Sequence, residues 1–441
     1  MATHLTPIDR LGRDQLRQLQ LERLQMTLNR AYFNVDFYRR RMDSLGLLPE
    51  DVSSFDDLRR FPITTRQDLV DHYPYGLFAV PLRSIVRLKV TSPVVRDRGK
   101  PIVVGFTRHD VAMWQALMVR LYQQLGVTDR DIVQVAFNFG LFPGAMTFNQ
   151  AAESLGATLA PSATVSATLQ LQIMQDFRST VLATTAAFAL HIVETMQQSQ
   201  LDSASLHLKL IILGPDPLAE ETREHLEAAF GIPVYSLYGV TEMVEPGIAG
   251  ECPQKQGLHW AEDQFLAEIV DPLTDEPLPP GQEGELVITT LTTEGYPVVR
   301  YRTGDVTRLH TSPCPCGRTF ARIASISRRT DNRLSVRGIP IYPEQVEELL
   351  VGLDPAIEDL RLVVHTQHGI GEQLEILLTR TGPPDFPREG RSQYLESIRS
   401  RLRRALGLGV RLQLVDRDRL PMEGLIRKTV FRSATSLYGT D

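Results

Sequence analysis

The sequence predicts an α/β protein: a large N-terminal α/β domain with a β-rich subdomain, then a small α+β C-terminal domain. Three observations predict it. From about residue 100, short apolar runs alternate with helical patterns, the rhythm of a largely parallel sheet. After Gly239 turn residues become frequent and strand-like runs dominate. From about Asn332 helix and strand patterns mix again over about a hundred residues, the size of one small domain. The length of 441 residues leaves room for two to four domains at roughly 100–200 residues each.

The elements follow in order. Leu21, Leu24, Leu28 and Ala31 recur at helical spacing among Arg and Gln, so the first seventy residues read as helical, punctuated afterwards by Phe61-Pro62 and Tyr73-Pro74. Ile132–Phe137 reads as a strand and Ala151–Leu155 as part of a helix. Leu208–Leu213, apolar except for Lys209, runs up to Gly214, the mark of a strand buried on both faces. Leu218–Phe230 reads as an amphipathic helix and Pro233–Leu237 as the next strand. Gly281–Leu291 and Pro297–Tyr301 read as strands of the β-rich piece. In the last unit Glu344–Leu350 and Tyr394–Leu406 read as helices, and Leu360–His365, Gln373–Thr379 and Leu412–Val415 as strands.

Composition narrows the function classes. Apolar residues make up 42% and charged residues 23%, as in ordinary globular proteins. The net charge of −6 argues against nucleic-acid binding, which leaves a basic footprint. No apolar run approaches the roughly 20 residues of a membrane helix, and no charged-then-apolar signal pattern opens the chain. Three cysteines are too few for a disulfide scaffold, so a reducing, cytoplasmic setting is expected.

All three cysteines fall in the β-rich piece. Cys314-Pro315-Cys316-Gly317 sets two thiols at C-x-C spacing, and Cys252 is followed by His259. Three thiolates and one imidazole suit a closed tetrahedral zinc site of structural type. The alternative is three unrelated thiols and a surface histidine.

Further motifs carry a resemblance. Tyr238-Gly239-Val240-Thr241-Glu242, Tyr301-Arg302-Thr303-Gly304-Asp305 and Arg329-Thr330-Asp331 stand in order. So do Tyr73-Pro74-Tyr75-Gly76-Leu77-Phe78, Phe139-Gly140-Leu141-Phe142, Ile212-Leu213-Gly214, Gly284-Glu285-Leu286-Val287 and Cys314-Pro315-Cys316-Gly317-Arg318. Over almost its whole length the chain resembles the phenylacetate–CoA ligase branch of the adenylate-forming enzymes. The resemblance implies that a carboxylic acid attacks ATP to give an acyl adenylate, and that CoA then displaces AMP as the small domain turns. It implies a large domain over 1–331, a small one over 332–441, a hinge at Asp331 and a homodimer. Zinc at Cys252, His259, Cys314 and Cys316 also has precedent in this branch.

Chemistry suits the retained residues to these roles. Glu242 can hold Mg²⁺ against phosphate oxygens. Asp305 can accept from both ribose hydroxyls, and Arg302 and Arg329 offer forked donors. Gly214 lets backbone approach a flat ring. Phe139, Phe142, Gly214, Tyr238 and Gly239 are the expected substrate pocket, with Thr241 and Glu242 as polar groups, joined by His259 if it is not a metal ligand. Asp305, Arg329 and Lys100 form a nucleotide-like site.

The chain departs from the family in two segments. The phosphate loop, roughly Ser-Ser-Gly-Thr-Thr-Gly-Lys-Pro in the family, here runs from Thr91 to Pro101, three residues longer, with Pro93 at the first glycine. Proline lacks the N–H that a phosphate cradle needs. Val94 and Val95 replace hydroxyls and Asp97 adds negative charge, though Arg96, Arg98 and Lys100 are basic. Near the C-terminus the family's Glu-Gly-Lys reads Glu423-Gly424-Leu425, with Lys428 three residues on. Leu425 cannot stabilise charge in adenylation. Around the ring, Asp216 stands for Glu and Ser236 for Asp.

These losses predict a repurposed, ATP-independent enzyme of specialised metabolism. It would hydrolyse, transfer or condense a preformed aryl or acyl thioester or amide, such as a carrier- or CoA-bound one, with Glu242 as base and Thr241 and Arg302 assisting. One alternative is the ancestral ATP-, Mg²⁺- and CoA-using aryl–CoA ligase with a remodelled loop. Another is an inactive homologue binding a carrier protein through Arg399, Arg401, Arg403 and Arg404, a run that also reads as a solvated helix face.

Overall fold

The computed structural model describes residues 5–91, 101–137, 144–162, 165–214, 218–331, 333–336, 339–367, 370–381, 388–416 and 430–433. The chain divides into two compact units, the first built chiefly from residues up to Thr330 and the second chiefly from Asp331 onward.

The first unit opens with a one-turn helix at Pro7–Arg10, then α1 (Arg13–Asn34), α2 (Asp36–Ser44) and α3 (Arg66–Asp71). Leu24, Leu28 and Ala31 of α1 are buried, as their spacing predicts, and Leu21 packs against the same core. The hairpin of β1 (Arg87–Val90) and β2 (Val103–Phe106) precedes α4 (Arg108–Gln124). The alternating part follows: β3 (Ile132–Ala136), α5 (Gly144–Leu155), β4 (Thr158–Leu159), α6 (Ala167–Asp176), β5 (Val181–Thr184), α7 (Ala186–Gln198), β6 (Leu210–Leu213), α8 (Glu220–Phe230) and β7 (Val234–Tyr238). Strands β4, β3, β5, β6 and β7 lie side by side in that order, all parallel. Every residue of β5 and β6 is buried, the reason the β6 sequence, Leu210–Leu213, is wholly apolar. Trp114, Leu117 and Met118 of α4 and Ala145, Phe148, Ala151 and Ala152 of α5 share one core with Val133, Val181, Leu210 and Leu237 of the strands.

Beyond β7 the pairing turns antiparallel through β8 (Ala249–Glu251), β9 (Leu258–Trp260), β10 (Phe265–Val270), β11 (Glu283–Thr290), β12 (Tyr301–His310), β13 (Arg322–Ile323) and β14 (Arg328–Arg329). Among the described residues one twelve-stranded sheet joins both halves. The expected strand over Pro297–Tyr301 is corrected: β12 begins only at Tyr301. Arg300 holds a φ of 47°, a left-handed conformation that breaks an extended run, although Val298 and Val299 are buried as the pattern implied.

The second unit contains β15 (Leu334–Val336), β16 (Ile339–Ile341), α9 (Pro343–Leu353), β17 (Ile357–Gln367), β18 (Ile370–Arg380), α10 (Arg388–Leu406), β19 (Val410–Leu414) and β20 (Val430–Ser433). Its sheet runs β19-β18-β17-β20. Val346 and Leu350 of α9 and Ile398, Leu402 and Leu406 of α10 share a core with Leu362, Leu374 and Ile376 of the sheet. Among the described residues no helix is long and apolar enough to cross a membrane.

Candidate active site and metal cluster

The parallel strands deliver their C-terminal ends to one edge, where ligands bind in open α/β sheets. Gly214 follows β6 there, its N–H donating to Thr184 O at 3.2 Å. A Cβ on Gly214 would meet Pro246 at 4.0 Å, so this strand end faces the turn that follows β7.

That turn, residues 239–247, folds back tightly. Val240 N donates to Val244 O at 3.0 Å and Gly247 N to Tyr238 O at 3.2 Å. A Cβ on Gly239 would come within 2.6 Å of Glu245 Cα and Val244 O, so the fold-back requires glycine. Trp114 Nε1 donates to Pro246 O at 2.7 Å and fixes the far side. Two carboxylates of the turn find cations from distant segments. Glu242 is 8% exposed and accepts from Arg66 at 2.5 Å. Glu245 pairs with the buried Lys89 at 3.3 Å, and the Lys89 ammonium also lies 5.7 Å from the Trp114 ring centre. Burial pushes the Lys89 amine down, opposed chiefly by Glu245. Thr241 occupies the turn between Val240 and Glu242, partly exposed.

Asp305 sits on β12 opposite Arg329 of β14. One of its carboxylate oxygens accepts from Tyr238 Oη at 2.7 Å, and the other from Arg329. Arg329 also donates to Thr303 O at 2.7 Å. Burial, reinforced by Asp305, raises the Tyr238 phenol well above its ordinary range. Thus Tyr238, Asp305 and Arg329, all expected in the site, do meet. Arg302, three residues before Asp305, is engaged by Glu285 at 3.1 Å and by Asp275. Asp331 accepts from Arg333 N at 3.3 Å. Phe139, Phe142, Lys100, Asp216, Arg96, Arg98, Leu425 and Lys428 lie outside the described residues.

Sequence reasoning missed Arg66, Lys89, Glu245 and Tyr296. Arg66 had a local signal: Thr65 and Asp68 cap each other and open α3 with Arg66 in its first turn. Tyr296 had none. The buried Asp110 carboxylate accepts from Glu294 N at 2.7 Å and Gly295 N at 2.9 Å, which holds the turn carrying Tyr296. Tyr296 is 3% exposed, its ring edge-on to Phe78, with centres 6.0 Å apart.

The cysteines gather elsewhere in the β-rich part. His259 is on β9, paired with Gly250 of β8 and Arg322 of β13. Cys252 follows β8, and Cys314 and Cys316 lie on the turn between β12 and β13. The donor atoms of all four residues lie within 4.8 Å of one another. Cys252 Sγ is 3.8 Å from Cys314 Sγ, and Cys316 Sγ is 3.3 Å from His259 Nε2. A tetrahedral ion bound at roughly 2.0–2.3 Å sets its donors about 3.3–3.8 Å apart, so this set fits one. Cys252 and Cys314 are buried free thiols and Cys316 is partly buried. A hydrogen bond from Cys252 drives the Cys316 thiol down, with His259 adding to it against burial; the same bond, with burial, drives Cys252 up. Gly317 closes the turn at a φ of 89°.

A family model described as AMP-binding enzyme matches residues 106–296, in line with the adenylate-forming class. The chain is 41% identical to a phenylacetate–coenzyme A ligase of Aromatoleum evansii over 347 residues, 78% of each chain. It is 35% identical to the Escherichia coli K12 phenylacetate–coenzyme A ligase over 95% of each. A 2-hydroxyisobutyryl-CoA ligase crystal structure shares the fold at a TM-score of 0.88 and 23% identity, covering 98% of this chain and 95% of that one. The chain therefore belongs to the phenylacetate–CoA ligase-like branch of the adenylate-forming enzymes.

This corrects the expectation of an ATP-independent hydrolase or acyltransferase. Relatives that are ligases match 78–95% of the chain, and two altered segments, 91–101 and 423–425, do not outweigh that. The role of Glu242 as base belonged to that reading; in the structure its Oε1 accepts from Arg66 at 2.5 Å.

Proposed function

We propose that the chain is an ATP- and Mg²⁺-dependent aryl–CoA ligase acting on phenylacetate-type acids. The observation that carries this reading is the identity to phenylacetate–CoA ligases spread over most of the chain. In the first step the acid's carboxylate oxygen attacks the α-phosphorus of ATP, giving an acyl adenylate and pyrophosphate. In the second the CoA thiol attacks the acyl carbon, a thioester forms, and AMP leaves.

The chain's own residues suit these steps. Asp305, held from both sides by Tyr238 and Arg329, is oriented to take ribose hydroxyls in exchange for those partners. Glu242 would hold Mg²⁺, which neutralises phosphate charge. Arg66, its present partner, would then be released to face an anionic group. Gly214 and the turn from Gly239 would flank the aryl ring with Phe139 and Phe142, and Lys100 would face phosphate. Thr241 and Arg302 would act as polar and cationic groups of the same site.

Cys252, His259, Cys314 and Cys316 would hold a structural zinc with no open position for water, which the fit of their donor distances supports. Residues 1–331 would form the body and 332–441 a cap turning about Asp331; the division of the chain beside Thr330 supports this. Family likeness supports a homodimer. A cytoplasmic setting agrees with three cysteines that form a cluster rather than disulfides.

Pyrophosphate release with phenylacetate and ATP, followed by thioester formation on adding CoA, tests the reading. Wild-type protein that consumes no ATP with any aryl acid rejects it.

A further inference from the structure

Beside the metal cluster lies a cavity of about 10 Å³ lined by Asp9, Gln124, Ile248, His259, Trp260 and Arg318. Asp9 Oδ1 and His259 Nδ1 are among its buried polar atoms that have no hydrogen-bond partner among the described residues. Asp9 is 1% exposed and lies in the one-turn helix Pro7–Arg10, more than two hundred residues from His259 in sequence. Its other oxygen, Oδ2, is satisfied at home by Thr6 N at 2.8 Å and Thr6 Oγ1 at 2.7 Å. Oδ1 is left facing inward, 3.7 Å from Arg318 Nε, beyond hydrogen-bond length. His259 turns Nε2 toward Cys316 at 3.3 Å, so with a metal bound in the cluster Nε2 would be the ligating atom and Nδ1 would carry the proton.

An unsatisfied donor and an unsatisfied acceptor thus border one space. A cavity of about 10–15 Å³ holds one water, provided two or more polar partners line it. We propose that a single buried water accepts from His259 Nδ1–H and donates to Asp9 Oδ1, making Asp9 the outer positioning residue of the metal cluster. The proposal rests on the zinc reading above. A histidine that ligates a metal commonly gives its second N–H to a carboxylate or a water, which fixes the ring and raises its basicity.

The same bridge reaches the start of the chain. Thr319 N donates to Asp9 O at 2.9 Å and Thr319 Oγ1 to Leu11 O at 2.8 Å, so residues 6–11 are strapped to the segment that follows Cys316. Arg318 spans the two, its Nη1 3.8 Å from Cys316 Sγ. Because linkage is reciprocal, whatever Asp9 adds to metal affinity the metal returns as order in this turn.

A high-resolution crystal structure of the zinc-loaded wild type is expected to show one ordered water within hydrogen-bond distance of both atoms. A dry cavity, or a His259 that binds zinc through Nδ1, overturns the proposal. In solution, zinc affinity is read by chelator competition on the full-length chain. Asp9→Asn is expected to lose about 10–100-fold. Thr6→Val, which removes a contact to Oδ2 only, is expected to change it less than about threefold. If Asp9→Asn binds zinc as tightly as wild type, or if both variants lose equally, Asp9 has no such role. Amide exchange of residues 6–11 should quicken on zinc removal in wild type and respond less in Asp9→Asn; exchange indifferent to zinc in wild type breaks the coupling. Wild type that takes up no zinc at all overturns the metal reading and this one together, whereas equal binding by Asp9→Asn overturns this one alone.

Discussion

The carboxylates around the 239–247 turn and the Cys252–His259–Cys314–Cys316 cluster both place polar atoms out of water, but they satisfy them differently. Glu242, Glu245 and Asp305 are each held by a protein cation: Arg66, Lys89 and Arg329. Such pairs are interchangeable, since an incoming ligand with its own charge or hydroxyls can replace either partner. The cluster draws four donor atoms within 4.8 Å of one another, with Arg318 Nη1 3.8 Å from Cys316 Sγ as the protein cation beside it. On the proposed roles, the first region would exchange partners and the second would close on one ion. Their loss should therefore read out differently: activity in the first, stability in the second.

The largest effect is expected at Glu242. Glu242→Gln removes the charge and keeps the shape, and should cut adenylation by about 10²–10³-fold, the scale for losing one electrostatic group of a transition state. Pyrophosphate release measures it, while thermal stability and zinc content stay at wild-type values. A variant of undiminished rate would remove Glu242 from the chemistry.

Cys314→Ser, or chelation of the wild type, should act on the other side of the contrast. Losing a structural metal site is expected to lower stability by about 4 kcal/mol or more, seen in thermal or denaturant unfolding. The rate per folded molecule should fall far less than in Glu242→Gln. A large loss of rate at unchanged stability would mean that the cluster belongs to the active site.

The smallest effect is expected at Tyr238. Tyr238→Phe deletes the 2.7 Å bond to Asp305 while Arg329 stays. A hydrogen bond to a charged group is worth about 1.5–3 kcal/mol, and one that ligand binding exchanges is worth less. The KM for ATP should rise by about threefold to tenfold with kcat little changed. A fall in kcat at constant KM would place the phenol in the reaction rather than in nucleotide positioning.

What the sequence revealed follows from which forces are local. The α1 face and the all-apolar β6 were legible because burial imposes a period or removes it. The C-x-C pair of Cys314 and Cys316 drew attention to the cysteines, and the fold then brings the donor atoms of all three and of His259 within 4.8 Å. Tyr238, Asp305 and Arg329 came from motif order, and the antiparallel register of β12 and β14 then explains why two of them touch. Arg66 with Glu242, Lys89 with Glu245 and Asp9 with Arg318 were not legible. Each joins residues more than 150 positions apart, and a charge gives no sign in sequence of which opposite charge it will meet. The departures at 91–101 and Leu425 misled for a related reason: two local segments were set against a site assembled from the whole chain.

Pyrophosphate release by the wild-type protein, with phenylacetate and ATP as the only substrates, tests the central claim most directly. The account predicts acid-dependent release, matched by AMP and phenylacetyl-CoA once CoA is added. No release under those conditions, from protein that is folded and zinc-loaded, would contradict it.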